Sequence, residues 1–238
     1  MKRPEEISVI GKIDEKLPPQ IVEVSEPMDP LLAPAYELLS KNLPQHELVD
    51  LPIIQEALAN KTSFFPDRYH FLVFTERQEV QGVAVGYYLA RVNVGLIYYL
   101  ATKNKGSGFG TVIRDSLIAK FKDDATSHNG QLLSGVVGEV EKTNPWLVKL
   151  KARGALLLDV NYFQPSIREG APVTPLILYY QPISESVVEI DTATVIELVK
   201  TIYQDVYDIE NPENCPEFQL MLKSLGSRPF IGTKKEFL

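Results

Sequence analysis

The order of apolar and polar residues predicts one strand and two helices in the first quarter of the chain. Residues 20–25 form a short apolar stretch that is typical of a strand. Apolar side chains then recur at helical spacing in residues 31–39, after Asp29, and in residues 52–60, after Asp50. Because aspartate is a preferred helix N-cap residue, we expect a helix to begin behind each of them.

The middle of the chain predicts three consecutive strands that lead into a glycine-rich turn and a helix. Residues 69–74 and 80–93 are rich in aromatic and β-branched side chains on either side of a polar turn, which indicates a hairpin. Residues 95–101 are apolar without alternation, as in a strand that is covered on both faces. After the glycines of residues 105–110, apolar spacing predicts a helix over residues 111–121.

Further along, the pattern completes a sheet. Residues 132–140 predict a strand, and Asn144 with a following proline predicts a short helix. Residues 155–162 and 175–180 predict two more strands, joined by a turn-rich segment. The four strands before the glycine turn and these three after it point to one sheet.

Two amphipathic helices are predicted beyond the sheet. Asp191 or Thr192 can cap the first, and residues 216–225 form the second. Both carry enough apolar surface to need a partner, which could be the sheet, a ligand cleft or a second copy of the protein in a homodimer. We expect them to pack on their own chain, and we expect residues 228–238 to form a loose tail.

Composition and charge narrow the class of protein. The chain has 238 residues, of which 45% are apolar and 23% charged, so it can bury a full core. Its net charge of −7 gives no general attraction to nucleic acid or to a membrane surface, and we expect neither as a partner. Cys215 is the only cysteine, which excludes an intramolecular disulfide. No apolar run approaches the ~18 residues of a spanning helix, and none follows Met1 as in a secretion signal, so we expect a cytoplasmic protein.

The glycine turn is the strongest candidate for a binding site. Gly106, Gly108 and Gly110 alternate in it, so no Cβ blocks a ligand and successive backbone N–H groups can point at one anion. The helix N-terminus that follows adds roughly half a positive charge. The spacing G-x-G-x-G differs from the dinucleotide motif, and Thr111 alone does not supply the Lys-Ser/Thr of a P-loop. A glycine-rich turn that binds no ligand is the open alternative.

Residues 105–110, with the sequence Lys-Gly-Ser-Gly-Phe-Gly, resemble the acyl-CoA loop of the GNAT superfamily of N-acetyltransferases. That loop follows the pattern Gln/Arg-x-x-Gly-x-Gly/Ala at the start of a helix, and lysine stands here at the Gln/Arg position. The order of predicted elements over residues 20–181 is also the order of the GNAT fold. Residues 159–166 resemble a subgroup in which Tyr-x-Gln-Pro follows the sixth strand.

The resemblance implies an α/β (α+β) fold. Its central sheet would be mixed, mostly antiparallel, with about seven strands flanked by helices. The chain would divide into an N-terminal arm (1–19), an acyltransferase domain (20–182) and a C-terminal helical extension (183–238).

The resemblance also implies acetyl-CoA as the co-substrate, without a metal. His46, His70 and His128 are scattered and show no metal-ligand spacing, which agrees with that expectation. The residues that would bind CoA lie at the end of the strand before the glycines, in the loop itself, in the first turn of the helix and at the later helix start. They are Leu100, Ala101, Thr102, Lys105, Gly106, Ser107, Gly108, Phe109, Gly110, Thr111 and Asn144.

The reaction that the resemblance implies is transfer of an acetyl group to a primary amine of a small molecule or a protein, by direct attack. Such a reaction needs a base, either a carboxylate or a water, for the ammonium proton. Glu139 and Glu141 are the catalytic candidates, because they end the strand where the family's sheet opens beside the thioester. Glu47 is the candidate for binding the substrate. A solvated pair of glutamates and an exposed loop charge are the respective alternatives.

Two departures from the family pattern keep a second function open. Ala155 replaces the usual aromatic residue, and no tyrosine lies on the helix behind Asn144 to act as general acid toward the leaving thiolate. Tyr162, on the following strand, is a speculative substitute. A GNAT-fold module that binds CoA or acyl-CoA without turnover is therefore the alternative to an enzyme.

Overall fold

The computed structural model describes residues 18–60, 66–167, 173–183 and 187–237. The predicted N-terminal arm lies outside the described residues except for its last two. Part of the predicted turn-rich segment after residue 164 also lies outside them.

The described residues form six α-helices and ten strands. The helices are α1 (Leu32–Asn42), α2 (Leu51–Ala59), α3 (Phe109–Asn129), α4 (Trp146–Ala152), α5 (Thr192–Asp205) and α6 (Pro216–Leu225). The strands are β1 (Gln20–Glu23), β2 (Arg68–Glu76), β3 (Glu79–Leu89), β4 (Val94–Thr102), β5 (Gly135–Val140), β6 (Leu156–Leu157), β7 (Tyr162–Gln164), β8 (Thr174–Pro182), β9 (Glu189–Asp191) and β10 (Phe230–Gly232). The predicted strand 155–162 is divided into β6 and β7, and α3 extends beyond its predicted range at both ends.

Eight strands make one sheet in the order β1-β2-β3-β4-β5-β8-β6, with β7 also paired to β8. The pairs are antiparallel except β4 and β5, which run parallel. β9 and β10 form a separate antiparallel pair. This mixed, mostly antiparallel sheet with flanking helices confirms the predicted fold class.

Helix α3 covers one face of the sheet through its predicted apolar side. Phe121 of α3 is fully buried and lies directly on Gly86 of β3 and Gly95 of β4. A Cβ at Gly95 would overlap the Phe121 ring, so the two glycines let the helix approach the strands closely. Because Gly86 and Gly95 carry no Cβ, α3 can lie close to the sheet at this point.

The C-terminal helices pack on their own chain, as expected. Apolar residues of α5 and α6 are buried in the same core cluster as those of α1, α2 and the other face of the sheet. Asp191 caps α5, because its Oδ1 accepts hydrogen bonds from the backbone N–H groups of Ala193 and Thr194. Arg91, in the turn between β3 and β4, donates to Thr201 Oγ1 at 3.0 Å and to Asp205 Oδ2 at 3.0 Å in the last turns of α5.

The expectation of a loose C-terminal tail is wrong. β10 pairs with β9, and the guanidinium of Arg228 lies 2.6 Å from Asp159 Oδ2. The backbone N–H of Lys234 donates to Leu157 O at 2.8 Å. These partners are distant in sequence, so the local composition of the tail carried no sign of them.

None of the described helices combines the length and apolarity that a membrane crossing needs. Within the same residues, no three His, Cys, Asp or Glu side chains come together as a metal site would require.

A charged cluster ties β1 and β2 to α3. The ring of His70, which is 7% exposed, lies 2.8 Å from Glu23 Oε1 through Nδ1 and 2.6 Å from Asp124 Oδ2 through Nε2. Burial lowers the pKa of His70, but the hydrogen bonds to Asp124 and Glu23 outweigh that effect and raise it. The hydrogen bond from His70 likewise holds the pKa of Glu23 down at about 2.

Replacing His70 by glutamine should destabilise the protein more at pH 6 than at pH 9. A histidine whose pKa is raised on folding contributes stability below its unfolded pKa, and that contribution is lost as pH rises through the folded value. We expect a loss of about 2 kcal/mol in the free energy of unfolding at pH 6 and a smaller loss at pH 9. Urea unfolding at both pH values measures it, with the exposed His46→Gln as control. Equal losses at the two pH values would contradict the ion-paired state of His70.

Candidate active site

The site begins where strands β4 and β5 part. They pair only over Val94–Ile97 and Gly135–Gly138. Beyond that point β5 stays paired with β8, whereas β4 stays paired with β3 through a bulge in which Tyr98 is the extra residue. The cleft-side edge of β4 is thereby released from β5. A cleft of about 390 Å³ opens between the two strands.

The cleft brings together the predicted site residues with one exception. Those that line it are Glu47, Leu100, Ala101, Thr102, Lys105, Gly106, Ser107, Gly108, Gly110, Thr111, Glu139, Glu141 and Asn144. Phe109 does not line it. Its ring packs against Phe74 with 4.7 Å between the centroids, on the α3 face of the sheet.

The glycine loop has a backbone conformation that favours glycine. Gly106 and Gly108 have φ angles of 87° and 88°, in the left-handed region, and no atom would lie within 4 Å of a Cβ at either position. Gly108 is the N-cap residue of α3, and it has no side chain that could accept a hydrogen bond from the first turn. Gly108, Gly110 and Thr111 line the cleft, so the N-terminus of this long helix lies at it, although the N–H of Thr111 donates to Gly108 O at 3.0 Å and that of Phe109 to Ser107 Oγ at 3.4 Å. The N-terminus of a helix is an arrangement that favours anions.

Lysines add positive charge beside the loop. Lys105 is exposed and lines the cleft, and so does Lys149 of α4, whose Nζ lies 5.2 Å from the centre of the Trp146 ring. Lys103 points elsewhere and pairs with Glu79 at 2.8 Å. Lys149 and Trp146 were not among the predicted site residues, because the resemblance carried over only Asn144 from the start of α4.

Asn144 stands at the entrance to α4. Its Oδ1 accepts a hydrogen bond of 3.0 Å from the backbone N–H of Trp146, so the side chain supports the start of α4, although the helix begins at Trp146, one residue later than predicted, with Pro145 as its N-cap residue. Because the carboxamide oxygen is used in this way, the Nδ2 group is the part of Asn144 suited to a ligand in the cleft.

Glu139, near the end of β5, is held by two tyrosines. Its Oε1 accepts a hydrogen bond from Tyr162, and its Oε2 accepts one of 2.6 Å from Tyr207, which follows α5. Burial raises the pKa of Glu139 to about 7, against the effect of the two hydroxyl donors and with a further contribution from the charge of Glu47. Burial also raises the pKa of both tyrosines far above the usual value, so they remain hydroxyl donors.

Glu141 lies in a different environment from Glu139. It is exposed, and it follows the end of β5 at Val140, so the strand does not continue far enough to place the two carboxyl groups side by side. Both nevertheless line the cleft.

Glu47 reaches the cleft from the loop between α1 and α2. The Tyr99 hydroxyl donates to Glu47 O at 3.0 Å and accepts from the backbone N–H of Val49 at 3.1 Å, which fastens this loop to β4. Glu47 Oε1 is buried without a hydrogen-bond partner among the described residues, and His46 Nε2 lies 3.7 Å from it. Burial raises the pKa of Glu47, and the charge of Glu141 raises it further.

Tyr162 and Tyr207 contact Glu139 but do not themselves line the cleft. The Tyr162 side chain is 2% exposed, as expected for a packed strand aromatic, and its hydroxyl is directed at Glu139. Tyr207 was missed, because it is 68 residues from Glu139 along the chain and its local pattern marks only the end of a helix.

No family model matches the sequence, and no curated protein matches it. Solved structures do match. A protein from Bacteroides thetaiotaomicron described as an acetyltransferase of the GNAT family aligns with a TM-score of 0.60 at 16% identity, over 80% of this chain and 99% of its own. The ribosomal-protein-alanine N-acetyltransferase of Brucella melitensis aligns with a TM-score of 0.50 at 16% identity, over 69% and 99%. The parting of β4 and β5, the order of the strands and these matches together show that the chain has the GNAT fold.

Proposed function

We propose that the protein is an N-acyltransferase that transfers an acetyl group from acetyl-CoA to a primary amine of a small molecule or a protein. One observation carries the proposal: a single cleft is lined by the glycine loop at the start of α3 and by the half-buried carboxyl group of Glu139, whose pKa is raised to about 7. A carboxyl group with that pKa can accept a proton near neutral pH, which acyl transfer to an ammonium requires. The fold of the two matched structures supports this assignment.

CoA would lie along the released edge of β4. The loop Gly106–Gly110 and the N-terminus of α3 would bind its pyrophosphate, with Lys105 and Lys149 nearby. The backbone of Leu100–Thr102 on the side away from β3 is free of β5 and could pair with the amide groups of the pantetheine arm. The thioester end would then point toward Glu139.

Glu139 is the base in this proposal. The acceptor arrives as an ammonium, gives its proton to Glu139 directly or through a water, and attacks the thioester carbonyl with its freed lone pair. The C–S bond breaks as the amide forms, and CoA leaves as a thiolate that takes up the second proton, which the nitrogen loses as it becomes the amide. Because a base must be deprotonated, the rate should rise with pH through about 7.

Glu47 would bind a positive charge of the acceptor. Its Oε1 is buried and without a hydrogen-bond partner among the described residues, which is costly for a carboxylate unless a ligand supplies the donor. An ammonium group is such a donor. Glu141, on the same cleft, would add to the negative potential there.

The loop can be tested first through CoA itself. Gly108→Val places a Cβ against the ligand and strains the left-handed backbone, so we expect CoA affinity to fall by about ten- to a hundredfold, the value of a lost charge-assisted hydrogen bond. Titration calorimetry measures it. Gly130→Val is the matched control, because Gly130 caps the other end of α3 with a φ of 68° and equally open surroundings. If both variants bind CoA as wild type does, the loop is not the CoA site.

The base is tested by Glu139→Gln beside Glu141→Gln. We expect the first change to lower kcat by roughly 10²–10⁴-fold with little effect on CoA affinity, and to abolish the rise of the rate through pH 7. Glu141→Gln should cost less than about tenfold, since Glu141 is exposed. Thiol release from acetyl-CoA over polyamines, amino acids and peptide N-termini is the measurement.

Two outcomes of that assay would redirect the proposal. A loss confined to Glu141→Gln would make Glu141 the base. If wild type binds acetyl-CoA tightly and releases no thiol with any amine of the panel, the CoA-binding module is favoured, in line with α4 having no tyrosine to act as general acid.

Glu47→Gln should raise the KM for the amine by about tenfold and leave the affinity for CoA unchanged, because it removes a charged partner of the ammonium. The control is Glu37→Gln, which removes an exposed carboxylate of α1 that pairs with Lys41 away from the cleft. Steady-state kinetics with the best amine of the panel gives both values. A KM equal to that of wild type would remove Glu47 from the substrate site.

A further inference from the structure

The C-terminal extension reaches the candidate base. Tyr207 belongs to this extension, yet its hydroxyl donates to Glu139 Oε2 at 2.6 Å. Its ring also lies 6.0 Å, between centroids, from the ring of Tyr98, the bulged residue of β4 that lines the cleft. A segment that follows the acyltransferase core in sequence is therefore in direct contact with two residues that line the cleft, Glu139 and Tyr98.

The position of Tyr207 is set by the way in which α5 ends. Asp208 takes a left-handed conformation with a φ of 54°, and the backbone N–H of Ile209 donates to Tyr203 O at 3.0 Å. Arg91 holds the last turn of α5 against the turn between β3 and β4. These contacts turn the chain sharply after α5 and direct the Tyr207 side chain toward Glu139 of the sheet.

The two oxygens of Glu139 are held by different parts of the molecule. Tyr162 of β7 donates to Oε1, and Tyr207 donates to Oε2. Because both oxygens accept hydrogen bonds from these tyrosines, the plane of the carboxyl group is fixed, and Glu139 still lines the cleft.

We infer that Tyr207 is a positioning residue for the acyl transfer, and that the extension completes the active site by orienting the Glu139 carboxyl group and stabilising its charged form. This inference rests on the proposed function of Glu139 as the base. Tyr207 itself does not line the cleft, so it acts through Glu139 rather than on a substrate.

The electrostatic surroundings of Glu139 come from several elements. Six titratable groups face it: Tyr162 of β7, Tyr203 of α5, Tyr207 just after α5, Tyr98 and Tyr99 of β4, and Glu47 of the α1–α2 loop. Among these, the hydrogen bonds of Tyr162 and Tyr207 lower the pKa of Glu139, and the charge of Glu47 raises it. Removing the Tyr207 hydroxyl should therefore move that pKa upward.

The test compares Tyr207→Phe with Tyr203→Phe. The control removes a hydroxyl from α5 that donates to Phe163 O and makes no hydrogen bond to Glu139. With ¹³C-carboxyl-labelled glutamate in the full chain, the Glu139 resonance is the one that disappears in Glu139→Gln. We expect its midpoint near pH 7 in wild type, about one unit higher in Tyr207→Phe and unchanged in Tyr203→Phe. The acid limb of kcat/KM should move by the same amount.

The two proposals fail separately. If Tyr207→Phe raises the Glu139 midpoint but wild type releases no thiol with any amine, the proposed acyl transfer is wrong. The effect of Tyr207 on the Glu139 carboxyl group is then confirmed, but it has no role in acyl transfer. If wild type turns over and neither the midpoint nor the acid limb moves in Tyr207→Phe, the role of Tyr207 is wrong. Should Tyr207→Phe not fold, ¹³Cζ-labelled tyrosine in wild type gives the answer: the Tyr207 signal must titrate with the Glu139 midpoint, and a flat signal overturns the inference.

Discussion

The candidate site depends on where the pairing of β4 with β5 ends. β4 and β5 run parallel for four residue pairs and then separate after Ile97 and Gly138. Side chains occupy the space at the division: a Cβ at Gly138 would lie 2.6 Å from the Tyr179 hydroxyl, and the bulged Tyr98 stands on the other strand. Because each strand keeps its outer partner, the sheet opens without leaving either strand unsupported. The cleft, the released edge of β4 and the position of Glu139 all follow from this division.

Glu139 makes the site costly to the folded state. A carboxyl group whose pKa is raised on folding stabilises the fold when it is protonated, and that contribution is lost as pH rises through about 7. The tyrosine hydroxyls reduce the cost, because each donates to the charged form. His70, on the α3 face of the sheet, shows the opposite balance, since it is held between Glu23 and Asp124 by two short contacts. His70 is thus ion-paired within the fold, whereas Glu139 lies at the open cleft with its pKa raised.

Much of the fold could be predicted from local pattern. The succession of strand, glycine turn and helix around Gly108 was predicted, and so were the cap of α5 by Asp191 and the whole of α6. Predictions failed where a distant partner decides the structure. The segment 228–238 is ordered by β9, Asp159 and Leu157, and the strand after Ala155 is divided because β6 and β7 meet different parts of β8.

The sequence by itself determined the periodicity of the elements, the left-handed turn that only glycine adopts easily, and the carboxylates that end β5, because each is a property of a few neighbouring residues. Only the tertiary structure decided which carboxylate is half-buried and what holds it. Glu139 and Glu141 are two residues apart and chemically identical, yet one is enclosed by Tyr162 and Tyr207 and the other is exposed. Desolvation and hydrogen bonding depend on what surrounds a group in space, and the chain brings Tyr207 to Glu139 from 68 residues away.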